Sequence, residues 1–503
     1  MGSDSSSLER LRSEPSWDGR FPRLILSSFR SISSLFVLAN ASFIGRVSPL
    51  LLLLFITFSF SASAATDSTV TNILVWHRDT DRIDADIQTW GLLPLLENVA
   101  AATGWHVFVE PNQSHKVSAK FKNLPEGEAL RLLLGNLNFI VVPQTNGPSQ
   151  LYVFRSSRGQ ATQMVRPPPK PARRIPNELI VTLKPGSKTK IDELARKLGA
   201  KVVGRMDGQN AYRLQFNTES DAIAARDQLA ANPDVQSIDA NFEMPPPPPV
   251  EAIGGATTPE LQLKPKASDG NCQLVVGLLD TPVQPISSNL EAFIKPSLSV
   301  AGPAQPPTGQ LTHGTAMAET ILKALQAKTG GSTSVKILPV DVYGNNETTT
   351  TFDVANGAVT AVNNGANVLN MSLGSSSDSP FLQNTINQIA QQGIPIFAAA
   401  GNTPVTTPTY PAAYPGVIAV TASDASGQIA SYANRGSFVQ MIAPGDNVVP
   451  FDGQNYLVEG TSTATAIASG MAAGLADSAG ACADQAASLL RNSLKAPPKA
   501  GTQ

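Results

Sequence analysis

The sequence predicts an α/β fold built on a doubly wound parallel sheet and preceded by two small α+β domains, and three observations carry that prediction. Across residues 268–497, short continuous apolar runs alternate with helical spacings, the pattern of a parallel sheet covered by helices on both faces. Two proline-rich stretches, residues 166–171 and the five prolines of 245–249, punctuate the chain before it. Such runs favour extended polyproline and cannot lie inside a helix or a central strand, so they read as semi-rigid linkers. The length of 503 residues independently exceeds what one core organises. The resulting boundaries are a leader and signal peptide at 1–64, an α+β domain at 65–158, a linker at 159–173, a second small domain at 174–243, a second linker at 244–267 and the large domain at 268–497.

In the first small domain the spacing predicts a strand at 73–76 and a helix carrying Leu92, Leu93, Leu95, Leu96 and Val99. Strands at 106–109 and 117–121, a helix over 126–134 and a closing pair at 139–142 and 151–154 complete it. The second domain reads strand, helix, strand, strand, helix, strand, beginning at 179–183, with a helix at 191–198 and a later strand at 212–216. In the large domain an apolar strand at 274–279 ends in Asp280, and His313 opens a helix running to about Leu325. Another strand at 394–400 ends in Gly401-Asn402, and Ser462 stands at the start of a small-residue helix through Ala473. Open α/β sheets bind ligands beyond the carboxyl ends of their strands, and all four junctions belong to that edge.

Composition narrows the function classes. A net charge of −2 with 15% charged and 42% hydrophobic residues describes a soluble chain without the basic field that nucleic acid requires. The two cysteines, Cys272 and Cys482, are too few for a disulfide scaffold and too far apart for a zinc knuckle; they form one bridge in an oxidising compartment or stay as two thiols. Apolar residues 50–60 follow Arg30 and Arg46 and end in Ala62-Ser63-Ala64-Ala65, a signal-peptide pattern with cleavage expected after Ala64 and an uncleaved anchor as the alternative. The long stretch before it is an extended leader, or translation starts further downstream.

The four junction residues make a chemical set. A serine hydroxyl becomes a nucleophile when an imidazole accepts its proton, and the imidazole needs a carboxylate to fix its tautomer. His313 is the only histidine after His115, so the base for Ser462 is His313 or comes from another module, with Asp280 best placed to orient it. The Asn402 amide and the Ser462 backbone N–H are candidate donors to a developing oxyanion. Taken singly, each residue could equally serve as a helix cap or a turn residue.

Asp280-Thr281, His313-Gly314-Thr315, Gly401-Asn402 and Gly460-Thr461-Ser462 closely resemble the motifs of the subtilase family, in that family's order. Residues 337–340, 365–374 and 431–445 (Ser-Tyr-Ala-Asn-Arg-Gly to Ala-Pro-Gly) extend the resemblance over almost the whole large domain. It implies a subtilisin-like serine endopeptidase with Asp280, His313 and Ser462 as the triad and Asn402 in the oxyanion hole. Ser372, Leu373 and Gly374 would form an edge strand that pairs with an extended polypeptide substrate. The second domain looks like a subtilase propeptide at 176–181, 198–203 and 232–242, which implies a folding aid and intramolecular inhibitor. Cleavage is expected between 250 and 268, beyond the prolines. The first domain, through Pro94-Leu95-Leu96, Thr103-Gly104-Trp105, 117–121 and 128–133, resembles the short N-terminal domain of bacterial secretins and TonB-dependent receptors. That resemblance implies a periplasmic or outer-membrane partner bound through residues 65–158 and a secreted or periplasmic protein of a Gram-negative bacterium.

Three residues depart from the subtilase pattern. Pro282 replaces a glycine, Thr463 a methionine and Ala466 a proline; none removes a proton-transfer group, and Pro282 is expected to alter the turn after Asp280. No cofactor is required. Calcium is common in the family, yet no carboxylate-rich loop of EF-hand type is present and no metal ligand is assigned. Two rival readings stand beside the enzyme: a pseudoprotease that uses the fold for binding, and a signalling or assembly protein whose first domain carries the main task.

Overall fold

The computed structural model describes residues 72–144, 148–253, 261–267, 273–287, 289–305 and 309–481. The leader and signal sequence, Cys272 and Cys482 lie outside the described residues. Among the described residues no helix is long and apolar enough to cross a membrane.

The first module runs β1 (Ile73–His77), β2 (Arg82–Gly91), α1 (Leu92–Thr103), β3 (His106–Val109), β4 (Lys116–Pro125), α2 (Glu126–Leu134), β5 (Asn138–Val142), β6 (Gln150–Phe154) and β7 (Gln163–Val165). Its sheets, β1-β2-β4 and β5-β6-β3-β7, enclose Leu95, Leu96, Leu130, Leu133, Leu151 and Val153. Strands β2 and β7 were not anticipated. Strand β2 buries Ile83, Ala85 and Ile87 while Arg82, Asp84 and Asp86 take the other face, so only every second residue carries the apolar signal.

The second module has the expected order: β8 (Arg174–Leu183), α3 (Ile191–Lys197), β9 (Lys201–Met206), β10 (Ala211–Gln215), α4 (Glu219–Ala230) and β11 (Val235–Met244). Thr218 and Asp221 close a capping box at the start of α4. Leu179, Val181, Leu214 and Phe216 pack with Ala222 and Leu229 of α4 on one face of this sheet. On the other, Ile180, Met206, Ala211 and Met244 share an apolar cluster with Phe352, Val354 and Ala355 of the large domain. That double burial is why Leu179, Ile180 and Val181 are all buried in succession.

The remainder comprises β12 (Glu251–Ile253), β13 (Lys264–Pro265), β14 (Val275–Asp280), β15 (Leu298–Ser299), α5 (His313–Thr329), β16 (Ser332–Thr333), β17 (Lys336–Asp341), β18 (Thr349–Thr350), α6 (Thr351–Asn363), β19 (Val368–Met371), α7 (Pro380–Gln391), β20 (Ile396–Ala399), β21 (Val417–Ser423), β22 (Met441–Pro444), β23 (Asp446–Phe451), β24 (Gln454–Glu459) and α8 (Thr461–Ala479). Seven parallel strands stand in the order β15-β17-β14-β19-β20-β21-β22. Residues of α5 and α8 pack with Val276 and Leu278 on one face, and those of α6 and α7 with Val275 and Leu279 on the other. This is the doubly wound parallel sheet expected from the alternating apolar runs. The strand order reverses at β14, whose neighbours are β17 and β19, so the end of β14 opens onto the crevice where such sheets bind ligands. Two short pairings fall outside the expectation: β18 joins β11 of the second module, and β12 joins the β23-β24 hairpin.

Candidate active site

Strand β14 delivers Asp280 at its last position, and α5 begins at His313 with the Thr312 side chain accepting from the Thr315 N–H as its cap. The two elements meet closely. A Cβ at Gly314 would lie 2.1 Å from the Thr281 carbonyl oxygen, so only glycine allows the approach. The turn after Asp280 is stapled to the helix start, with the Gly314 N–H donating to Thr281 Oγ1 at 2.8 Å and Thr312 Oγ1 donating to the Pro282 carbonyl at 2.7 Å. Pro282 thus supplies an acceptor to the turn and leaves Asp280 beside His313.

The His313 Nδ1–H donates to Asp280 Oδ1 at 2.7 Å, and both side chains are buried. A carboxylate can only accept, so Nδ1 carries the hydrogen of this bond. Asp280 Oδ1 also accepts the Thr281 N–H at 2.7 Å, which fixes the carboxylate plane. His313 Nε2 is buried and has no hydrogen-bond partner among the described residues.

Ser462 lies in the first turn of α8, 4% exposed. Its Oγ donates to the Ser372 carbonyl at 3.1 Å, while Ser372 Oγ donates to the Ser462 carbonyl at 3.0 Å. Two residues that sequence reasoning missed extend this link. Asn370 donates from Nδ2 to Ser372 Oγ at 3.0 Å and accepts from Ser469 Oγ at 3.0 Å. The available signal was an asparagine inside the otherwise apolar run of β19, since a buried amide demands partners.

Asn402 follows β20, and its Oδ1 accepts from the Thr461 N–H at 2.8 Å and from Thr461 Oγ1 at 3.0 Å. With the oxygen so engaged, the Nδ2 group is the free donor end. A Cβ at Gly460 would lie 2.9 Å from Nδ2, so the glycine before Thr461 leaves room for that amide. Asn434, also missed, donates to the Ala400 carbonyl at 2.8 Å and to Thr409 Oγ1 at 3.1 Å, bracing the strand end that carries Asn402.

Ser372, Leu373 and Gly374, the expected edge strand for a substrate, follow β19 with no partner strand among the described residues. The ladder ends at Met371, and the backbone beyond it lines a cleft of about 600 Å³ together with Asn402 and Ser462. Both proline-rich stretches enter the same cleft, through Pro169 and Lys170 on one side and Pro245 to Pro248 on the other. Tyr343 Oη donates to the Pro245 carbonyl at 3.2 Å, and burial pushes this phenol's pKa well above its ordinary range. Asp280, His313, Ser462 and Asn402 therefore stand at the carboxyl edge of one sheet; Asp280 and His313 are bonded to each other, while Ser462 Oγ is bonded to the Ser372 carbonyl and not to His313.

Residues 272–496 match the family model of the Subtilase family, and residues 160–241 match that of the Fervidolysin N-terminal prodomain. Subtilisin Savinase of Lederbergia lenta is 35% identical over 203 residues, 39% of this chain and 74% of that protein. Thermitase of Thermoactinomyces vulgaris is 33% identical over 196 residues, 39% of this chain and 70% of that protein. A thermostable alkaline protease of Halalkalibacterium halodurans is 39% identical over 165 residues, 32% of this chain and 46% of that protein. The chain thus spans about half the length of several curated relatives that it matches, 46% of one and 51% of another. Among solved structures, fervidolysin from Fervidobacterium pennivorans, a keratinolytic enzyme related to subtilisin, aligns at 20% identity and a TM-score of 0.48 over 61% of this chain and 55% of its own. The chain belongs to the subtilase family, and its large domain is preceded by a fervidolysin-type prodomain region.

Proposed function

We propose that this chain is an exported serine endopeptidase, made as a self-processing precursor, that hydrolyses extended polypeptides. The observation that carries this reading is the buried His313–Asp280 hydrogen bond of 2.7 Å, which leaves His313 Nε2 without a hydrogen-bond partner among the described residues. Ser462 Oγ attacks the scissile carbonyl carbon as its proton passes to His313 Nε2, and the imidazolium is stabilised by Asp280. His313 then gives the proton to the leaving amine as the C–N bond breaks, and water repeats the sequence on the acyl-enzyme. Asn402 Nδ2 and the Ser462 N–H serve the oxyanion, so Asn402→Ala is expected to cost roughly two to three orders of magnitude in rate. Ser372, Leu373 and Gly374, free of ladder partners, pair with the substrate backbone. This reading requires no cofactor and leaves calcium without assigned ligands.

Residues 174–243 act as the inhibitory propeptide and 268–497 as the peptidase, joined by 244–267. Residues 1–64 direct export, and the protein works in the periplasm or outside the cell, with residues 65–158 meeting a periplasmic or outer-membrane protein. The test is labelling by a fluorophosphonate probe, together with intact mass over time for residues 65–503 and for its Ser462→Ala form. Probe uptake and fragments in the parent alone support the peptidase.

One observation favours a second reading. The Ser462 hydroxyl donates to the Ser372 carbonyl, so in this state its proton is directed to a backbone oxygen. A pseudoprotease that binds polypeptides without cutting them would keep that bond, and a folded parent that neither takes the probe nor changes mass would establish it.

A further inference from the structure

The loop that follows Asn402 carries a contact that peptide hydrolysis does not use. The Thr406 N–H and Oγ1 both donate to Glu97 Oε1, at 2.6 and 2.8 Å. Glu97 belongs to α1 of the first module and is 3% exposed. Its neighbours Leu92, Leu95, Leu96 and Val99 face the module's own core. The peptidase loop covers Glu97, and a buried carboxylate persists only where partners are built for it. The second partner is Arg435, whose charge acts on Glu97 and whose guanidinium is held by the carbonyls of Ala430, Ser431 and Ala433. The Arg435 N–H donates to the Val405 carbonyl at 3.0 Å, so loop and arginine form one rigid receptor.

A second contact continues from this anchor toward the cleft. The carbonyls of Lys170 and Ala172 accept from Ser376 Oγ at 2.7 Å and Ser377 Oγ at 3.1 Å, next to the segment that carries Ser372 to Gly374. Arg173 then joins the second module, its carbonyl accepting the Glu243 N–H at 2.9 Å just before the prolines on the far side of the cleft. The first module therefore reaches the peptidase at one point beyond Asn402 and its linker reaches it at another beside the substrate segment.

We propose that Thr406 and Arg435 form a carboxyl-docking surface of the peptidase domain, occupied in the precursor by Glu97, and that the first module is thereby a second inhibitory arm. This rests on the protease reading above. A single cut after the second module would leave both arms on one fragment. Each would hold the other at high effective concentration, so the fragment stays bound longer than the prodomain contact alone allows.

Amide hydrogen exchange in full-length Ser462→Ala tests the docking without needing activity. The Thr406 amide should exchange about tenfold or more faster when Glu97→Ala is added, and Glu97→Gln, which keeps an acceptor, should fall between. In the active chain, Glu97→Ala should shorten the lag before peptidase activity by about tenfold, with the N-terminal fragment eluting apart from the peptidase where the parent's co-elutes. Unchanged Thr406 exchange overturns the docking, and loosened docking with an unchanged lag overturns the inhibitory arm. Should Glu97→Ala fail to fold, Thr406→Val on the opposite face reads the same contact through fragment co-elution. Failure of the parent to take the active-site probe removes the protease reading, while Thr406 exchange still decides the docking.

Discussion

The hold of the second module on the peptidase should depend on one buried side chain, Asn241. Its Oδ1 accepts from Thr351 Oγ1 at 3.0 Å and from the Phe352 N–H at 3.1 Å, in the first turn of α6. Its Nδ2 donates to Glu178 Oε2 at 2.9 Å, and the residue has no exposed surface. The first N–H groups of a helix have no partner within the helix, so a neighbouring strand supplies what a local cap would. Asn241→Ala strands the Phe352 N–H and takes the hydrogen-bond donor from Glu178 Oε2, which keeps only Arg213 Nε at 4.0 Å. Each buried group left without a partner costs about 1–3 kcal/mol, which puts the loss at about 2–4 kcal/mol after partial relief by water. A docked state weakened that far is less populated by roughly thirty- to a thousandfold. The assay is hydrogen exchange at Phe352 with urea unfolding, in a Ser462→Ala background that cannot cut itself. Faster exchange at Phe352 and an earlier first transition are expected. If both match the parent, the capping contact is not what seats the module and the reasoning fails.

Three further outcomes follow from particular contacts. Gly314→Ala places a Cβ 2.1 Å from a backbone oxygen that cannot move aside, so α5 must shift and carry His313 with it; a displacement of about 1 Å should lower peptidase activity about a hundredfold without unfolding the chain. Burial raises Glu97 from 4.5 to about 7 in the docked state, with Arg435 the opposing charge. Docking then favours the protonated acid: its contribution is complete below about 4.5, falls across the interval and is gone above about 7. Fragment release should accordingly be faster at alkaline than at acidic pH, and Glu97→Gln should flatten the profile. Gly460→Ala, at φ 147° and against the Asn402 amide, should reduce turnover more than substrate affinity, read as a fall in kcat at similar KM.

The residues of the cleft were legible because each stands where a strand ends or a helix begins, and those ends announce themselves. An apolar run stopping at Asp280, and a run of small residues opening at Thr461, are local patterns with one three-dimensional meaning. The contacts between modules were illegible for the opposite reason. Nothing in the spacing of α1 says that Glu97 faces protein, since a glutamate beside an asparagine normally marks the solvent side of a helix. Asn241 reads as an ordinary strand residue until α6 arrives from over a hundred positions away.

The position of the maturation cut follows from which residues are built into which body. Strand β12 pairs with β24, but its three residues are all exposed, so it is held by backbone bonds alone. From Leu261 onward the linker is anchored on the peptidase: Leu263 is buried, the Lys264 N–H donates to the Gly331 carbonyl, and Lys266 Nζ lies 3.4 Å from the Asp477 carboxylate. A cut before β12 would have to fall among prolines that cannot present an N–H to the cleft, and a cut after Leu263 would require pulling a buried side chain out of the core. The mature chain should therefore begin between residues 254 and 261, within the window of 250–268 expected from the sequence. N-terminal sequencing of the product decides this. A start upstream of Val250 would show that the proline run is itself the substrate.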